Sequence, residues 1–593
     1  MKNYKTIAEQ ATMQSFLNCY LRETGNFEEV ADQTILQSIE KEAERTIKCV
    51  LQHQAVELII PVKYWSLTGR HIFTFPIHYR HEGSQTLRII DYITLVSLIT
   101  KELLIEQNRE YAVDEFMLRV ILSCRNVTKY VEERALDADQ LSDANFSYIE
   151  SEQSLLFGHL LHPSSKSKQG ISEKEEHLYS PELKGEFQLH YFRADPSIVA
   201  QDSSLDESAA AIVKRELKES AELHRLQGKE DDLFIPTHPL QAKHLIEKEN
   251  VQSLMDRRLL EYIGPLGKKY TATSSFRTVY SKDSKYMFKF SVPIKITNSL
   301  RVSQKKELDR GVEVSRVLAT KVGQDLRERF DHFHIIEDPA YLNLDLEGDS
   351  TGFEVIIREN PFYEKDQNTS LIAGLCQDHA YGGKMRIQAI VEEIARREDR
   401  STEEVSMNWF DRYLSISLDP ILWLYETYGI ALEAHQQNSV LQLDDGYPRT
   451  FYYRDNQGYY YSESKADLLV AQLPDLNRKS NTICSDEVAE ERLRYYFLIN
   501  HLFGLINSFG VSGLIGEEKL LQILRSRLEK HIEKGTAVGF IDSLINVPVL
   551  PCKANLLTRF HDMDELVGSL ETQSVYTMIG NPIVQEVELA YER

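Results

Sequence analysis

Apolar positions in the opening stretch, MKNYKTIAEQATMQSFLNCYLRETG, fall at Ile7, Ala11, Phe16 and Leu17, roughly the spacing of one helix face. DYITLVSLITKELLIEQ repeats that period, and HIFTFPIHYR between them reads as short strands, so about the first 150 residues form one mixed lobe. Near HLLHPSSKSKQGISEKEEH the pattern dissolves into Pro, Ser, Gly and charge, which marks either a linker or a functional loop. ESAAAIVKRELKESAELHRLQ then reads as a helix with a solvated, charge-alternating face. KKYTATSSFRTVYS and KYMFKFSVPIKITNSLRV, separated by KDS, read as strands of an antiparallel sheet joined by a tight turn. Beyond about residue 310 the chain reads as mostly helical, interrupted by a hairpin within LEAHQQNSVLQLDDGYPRTFYYRDNQG.

Alternation along KFSVPIK sends Lys289, Ser291 and Pro293 to one face and Phe288, Phe290 and Val292 to the other. Together with Arg277, Lys295, Arg301 and the hydroxyls of Thr273, Ser274, Ser275 and Thr297, this composes either an anion site or an exposed polar sheet face. The loop GHLLHPSSKSKQG adds His162, Ser164, Lys166 and Lys168. Neither it nor GPLGKK has the G-x-x-x-x-G-K-[ST] order, so no P-loop is expected. In the hairpin, SVLQL and TFYYR are the strands and DDGYP the turn, which brings Asn438 and Asp455 together with Glu433 close by and His435 two residues from Glu433. Such oxygen donors suit Mg²⁺, in a geometry that resembles the metal-binding Asn and Asp of protein kinases; a satisfied hydrogen-bond network around the hairpin accounts for them equally well. An anion cradle and a metal site on separate segments point to a nucleotide enzyme, with phosphotransfer and ATP-driven ligation both open.

At 593 residues the chain is expected to hold about two to four domains. Its six cysteines, Cys19, Cys49, Cys124, Cys376, Cys484 and Cys552, lie far apart without C-x-x-C spacing, which fits reduced thiols rather than disulfides or zinc. The start lacks the apolar run of a signal peptide, and no apolar run approaches the ~18 residues of a membrane span, so a cytoplasmic protein without a membrane partner is expected. A formal net charge of −23 argues against nucleic acid and favours a cationic substrate such as an amine. Any anion must then be held by a local basic inlay.

The ordered set HPSSKSKQG, PTHPLQAKHL, TSSFRTVYS, KFSVPIKITNSLR, EAHQQN and YYRD, with CKANLLTRF further on, resembles the IucA/IucC family, the NRPS-independent siderophore synthetases, and within it the citrate-using members. The resemblance implies an α+β, multidomain hand: a thumb (1–150), fingers (151–310) with an antiparallel sheet, and a largely helical palm (311–593) that carries the kinase-like metal-binding hairpin. It implies ATP between fingers and palm, Mg²⁺, often a homodimer, and a citrate carboxylate activated as its adenylate before an amine such as spermidine attacks. Carried over by motif, His162, Ser164, Lys166, Thr273, Ser274, Ser275, Arg277 and Lys289 would hold ATP; Thr297, Arg301 and His435 would hold citrate; Glu433, Asn438 and Asp455 would order the metal. His162, Arg277, Lys289, Arg301 and His435 are the expected catalytic set.

The family's carboxy-terminal part is similar to ferric-reductase-like FhuF sequences, so an iron-handling protein is the competing class. Cluster ligation would need closely placed cysteines, and late in the chain stand only Cys484 and Cys552. If the negative field helps to capture a polyamine, the rate at subsaturating amine falls markedly as salt rises; a flat ionic-strength profile excludes such steering.

Overall fold

The computed structural model describes residues 3–39, 43–106, 113–218, 232–297, 299–455, 457–535, 538–560 and 575–584. The opening helix spans Tyr4–Thr24: the Asn3 side chain accepts from Thr6 N–H, and Gly25, at φ 65°, ends the helix in the left-handed conformation open to glycine. Phe16 and Leu17 are fully buried, against a six-stranded sheet and the helices Tyr92–Glu106 and Val113–Glu133. At the helix end the Glu23 carboxylate accepts from the backbone N–H groups of Leu556 (2.8 Å) and Leu557 (2.8 Å). This contact ties the first helix to the segment that follows the strand Val549–Lys553.

A central sheet of eight strands carries the basic segments. Its order is Leu233–Thr237, Glu186–Ala194, Leu260–Ala272, Thr278–Tyr280, Tyr286–Phe290, Val355–Glu359, Ala340–Leu344 and Val199–Ser203, each antiparallel to its neighbour. The hairpin expected around KDS is present, with Thr278 opposite Lys289. Beyond 310 helices predominate, as expected, but Ala340–Leu344 and Val355–Glu359, which that reading missed, complete this sheet. EVIIRE is too short and too rich in β-branched residues to hold a helix, and its apolar run buries on both faces. The reading of Lys289 as part of an exposed polar face also fails: Lys289 is 5% and Phe288 1% exposed, so both faces of that strand are covered.

The expected charged helix begins as Ala209–Lys218, and its remainder lies outside the described residues. It is not simply a solvated face, since Ala209, Ile212, Val213 and Leu217 pack into the core of the central sheet.

The longest helix, Thr402–Tyr428, begins with a capping box between Ser401 and Glu404 and ends at Gly429, φ 68°. It supports the predicted hairpin of Ser439–Asp444 and Tyr447–Arg454. Asp445 and Gly446 form the two-residue turn, both at positive φ (49° and 83°), as the right-handed twist of paired strands prefers. Trp409 Nε1 donates to Gly446 O at 3.0 Å, so the hairpin tip is fastened to the helix. Phe333–Ile336 runs parallel to the second hairpin strand and Thr369–Leu371 antiparallel to the first.

Burial pushes the Glu23 carboxyl up to about 7, against the pull of the Leu556 and Leu557 N–H groups. Between its ordinary range and 7 the folded chain holds a proton that the unfolded chain has released, so this group costs stability as pH rises through that window. The stability of Glu23→Gln minus that of the wild type therefore grows from pH 4.5 to 7, as measured by urea melts; a constant difference would show that Glu23 ionises normally.

Candidate functional site

The turn Thr273–Thr278 closes on itself: Thr273 N–H donates to Thr278 O (2.8 Å), and Phe276 takes a left-handed φ of 68° with its ring buried. The hydroxyls of Thr273 and Ser275 lie 3.2 Å apart, and Ser275 Oγ also accepts from Thr278 N–H. Ser274 Oγ instead faces the hairpin and accepts from Gln437 Nε2 at 3.3 Å. Arg277, 6% exposed, donates through Nη1 to Val302 O (3.1 Å) and Ser303 Oγ (3.2 Å), and through Nη2 to Gln457 Oε1 (3.3 Å).

Lys289 meets the hairpin directly, its ammonium 3.2 Å from Asp455 Oδ1. Burial pulls Lys289 down to about 8, with Asp455 pulling the other way. Burial alone would raise the Asp455 carboxyl; Lys289 and Arg358 outweigh it and hold it well below the usual carboxylate range. The pair is thus charged at neutral pH. Removing one partner of a buried pair of this kind costs about 3–5 kcal/mol, because the other charge is left uncompensated.

The hairpin ends meet as expected. Asn438 Nδ2 lies 3.2 Å from both Asp455 Oδ2 and Glu433 O. The Glu433 carboxylate accepts from Tyr460 OH (3.2 Å) and stands 3.8 Å from His435 Nε2. Burial, then the nearby Asp455 charge, pushes Glu433 up to about 7, and burial lowers His435 to about 4. His435 Nδ1 accepts from Gln437 N–H, which leaves the proton of the neutral ring on Nε2. His435 is therefore a neutral donor rather than a fixed cation. Two carboxylates and an amide within one bend form an all-oxygen donor set of the kind a hard cation takes.

Thr297 and Arg301 also converge. Thr297 sits at φ 54°, and Arg301 Nη2 donates to Thr297 Oγ1 (3.3 Å) and Ile296 O (3.2 Å). Because Val302 and Ser303 follow at once and receive Arg277, this turn is linked to the Arg277 side of the cleft.

The loop GHLLHPSSKSKQG divides. His162 is buried, its Nδ1 accepting from Ser164 N–H, with its ring 6.3 Å from that of His159. Ser164 is fully buried. Lys166 Nζ lies 2.5 Å from Glu182 Oε1, and Lys168 Nζ reaches Glu182 Oε2, Ser180 Oγ and Tyr130 OH. Burial would raise Glu182, but the two lysines hold it at about 2. Both ammonium groups are thus engaged by a buried carboxylate behind the loop, Glu182, which no local sequence pattern marks.

Other groups escaped sequence reasoning. Glu152 and Arg454 form a buried ion pair, and Arg358 holds Asp338 through two hydrogen bonds (2.6 and 2.8 Å). Arg310 donates to Gln457 O (2.8 Å) and Ser480 O (2.9 Å), fixing the bend that carries Asp455. Arg454 did have a signal, as the basic residue of the YYRD motif at a strand end. Glu152 had none. Among the described residues, the single group of three His, Cys, Asp or Glu ligands close enough to share a metal is His53, Glu102 and Glu106, far along the chain in the first lobe.

Residues 147–377 match the IucA / IucC family model, and residues 407–568 match that of the ferric iron reductase FhuF-like transporter. The chain is 46% identical to the spermidine-citrate ligase of Bacillus anthracis, over 99% of each chain. It is 33% identical to the rhizobactin siderophore biosynthesis protein RhbC of Rhizobium meliloti, over 98% of each. Its structure resembles ATP-bound aerobactin synthetase IucA of Klebsiella pneumoniae at a TM-score of 0.88 and 26% identity, covering 97% of this chain and 100% of that one. In the FhuF-like stretch, Cys484 and Cys552 are free thiols on the separate strands Ile483–Cys484 and Val549–Lys553, which supplies no cluster-binding set.

At Gly458 an added Cβ would lie 2.6 Å from Glu433 Cβ, 2.6 Å from Tyr453 OH and 3.4 Å from Asp455 Oδ2. Gly458→Ala is therefore expected to displace the acidic bend; if that bend holds a divalent cation, the half-saturating Mg²⁺ concentration in turnover assays rises by about tenfold or more, an angstrom-scale misplacement being that costly. Unchanged Mg²⁺ dependence would separate these carboxylates from any metal.

Proposed function

Because the chain belongs to the IucA/IucC family of siderophore synthetases, we propose that it activates a citrate carboxylate with ATP and passes the acyl group to an amine, releasing AMP and pyrophosphate. It is a ligase of siderophore biosynthesis that forms citrate–amine bonds. The observation that carries the reading is the Lys289–Asp455 contact, which puts a basic sheet strand and an acidic hairpin against one space. The 46% identity to a spermidine-citrate ligase supports spermidine as the amine, and the resemblance to an ATP-bound synthetase supports ATP as the activating nucleotide.

A carboxylate is a poor electrophile. In the proposed first step a citrate oxygen forms a bond to the α-phosphorus and the bond to the bridging oxygen of pyrophosphate breaks. In the second, the amine nitrogen attacks the acyl carbon, the C–O bond to AMP breaks, and the nitrogen loses a proton. Negative charge builds on the α-phosphate in the first step, and His162, Ser164, Ser275, Arg277 and Lys289 are the groups assigned to meet it, with Thr273 and Ser274 shaping the turn. A well-placed donor of this kind is worth about 3 kcal/mol. Lys166 is left out of the set, since Glu182 engages its ammonium. Thr297, Arg301 and His435 take the citrate carboxylates, Arg301 by a two-pronged contact and His435 as a neutral donor. Glu433, Asn438 and Asp455 would hold Mg²⁺, whose charge offsets that of the triphosphate.

The division into thumb (1–150), fingers (151–310) and palm (311–593) is proposed with one adjustment: Ala340–Leu344 and Val355–Glu359 belong with the fingers, whose sheet they complete. A homodimer is the proposed assembly and the cytoplasm the proposed location. Among the described residues no helix is long and apolar enough to cross a membrane.

Incubation with Mg-ATP, citrate and spermidine is expected to yield AMP, pyrophosphate and a citryl-spermidine amide by mass spectrometry; ADP as the sole nucleotide product would refute ligation. Arg301→Ala is expected to raise the citrate KM by about tenfold or more, the worth of a charge-assisted hydrogen bond, while the ATP KM stays within about twofold. Equal loss of both would move Arg301 to the nucleotide.

A further inference from the structure

Glu152 closes the short helix Tyr148–Glu152, outside every motif that points to the reaction, yet it touches both walls of the cleft. Its side chain is fully buried. One oxygen, Oε2, accepts from the peptide N–H of Ser274 at 2.9 Å, inside the turn that leads to Ser275 and Arg277. The other, Oε1, is paired with Arg454 Nη1. Arg454 is itself 4% exposed: Nε and Nη2 reach Gln437 O on the hairpin side at 3.2 and 2.9 Å, while Nη1 also reaches Tyr148 OH, on the helix of Glu152, at 2.6 Å. Its backbone N–H meets Asn438 O at 2.9 Å, one residue before Asp455. Gln437 completes the circuit by donating from Nε2 to Ser274 Oγ.

Three segments distant in sequence therefore meet at one carboxylate. Stability alone does not call for an ion pair here, because a well-packed apolar pair of similar volume commonly serves as well in a core. What an apolar pair lacks is direction. The two oxygens of Glu152 point at two donors, a peptide N–H in the sheet-side turn and a guanidinium whose other prongs hold the hairpin, so they fix how far apart those walls stand. Burial would raise the Glu152 carboxyl, but Arg454 and Ser274 outweigh it and keep it ionised.

Resting on the ligase reading above, we propose that Glu152 is a positioning residue for the adenylating half of the reaction: with Arg454 it sets the spacing between the Ser274–Arg277 turn and the Asn438–Asp455 bend, the two edges between which a nucleoside triphosphate is held. It touches no substrate. Its influence falls first on the nucleotide side, because Glu152 holds the Ser274 peptide directly, whereas Arg301 is held to Thr297 and Ile296 and meets that turn one step further on, through the bonds of Arg277 to Val302 and Ser303.

The test is citrate-dependent exchange of labelled pyrophosphate into ATP, run beside overall turnover with spermidine. Glu152→Gln keeps the shape and one acceptor but removes the charge. It is expected to lower the exchange rate by about 10²-fold, the scale of an angstrom's misplacement, and to raise the Mg-ATP KM by about tenfold, with the citrate KM within about twofold of wild type. Glu152→Asp, read in the same assays, stands in if the glutamine variant does not fold. A paired variant, Glu152→Leu with Arg454→Met, is expected to regain thermal stability without regaining the ATP KM. Wild-type exchange kinetics in Glu152→Gln, a parallel rise of both KM values, or recovery of the ATP KM along with stability in the paired variant would each overturn the proposal and leave Glu152 a packing residue. Failure of the ligase reading looks different: the wild-type protein itself would then show no citrate-dependent exchange.

Discussion

A lysine in the middle of a sheet strand and an aspartate at the end of a hairpin make the contact on which the rest of this molecule depends. Lys289 is flanked by Phe288 and Phe290 and covered on both faces, so its ammonium needs a partner that its own segment does not supply. Asp455 is the partner, and the demand for compensation inside a poorly polarisable interior draws the two halves of the chain together. Arg277, Arg310, Arg358 and Arg454 are buried around the same bend, each donating to a carboxylate, a carbonyl or an amide oxygen. A chain with a formal charge of −23 thus keeps a small cluster of buried cations, walled by its own acids.

The titration of the site follows from that enclosure. Glu433 and Asp455 stand near one another and cannot ionise alike: the one next to Lys289 and Arg358 stays charged, while the one farther from them is pushed up to about 7. His435, lowered by burial against the pull of the Asp455 charge, stays neutral. Divergence of this kind among close groups is what acid–base and metal chemistry at neutral pH requires.

What was legible in the sequence is what repeats locally. The helix face at Phe16 and Leu17, the strand pair around KDS and the hairpin with Asn438 and Asp455 at its ends all follow from period and turn chemistry. The strands at Ala340–Leu344 and Val355–Glu359 were hidden, because short apolar runs look alike in helices and strands until a sheet edge claims them. Lys166 illustrates a second limit. In a loop rich in serine and histidine it has the composition of an anion ligand, and its actual partner, Glu182, lies on a neighbouring turn that no local pattern marks. Glu152 is harder still, since a carboxylate acquires its role only from the Ser274 N–H and the Arg454 guanidinium, both more than a hundred residues away.

The fastening of the first helix to the far end of the chain has a bearing on biosynthesis. A ribosome delivers Glu23 533 residues before Leu556, whose amide donates to it. Lys289 likewise waits for Asp455. Until those partners have emerged, Glu23 and Lys289 lack the counterparts that the folded chain gives them, so the walls they join close only once both members of each pair are present.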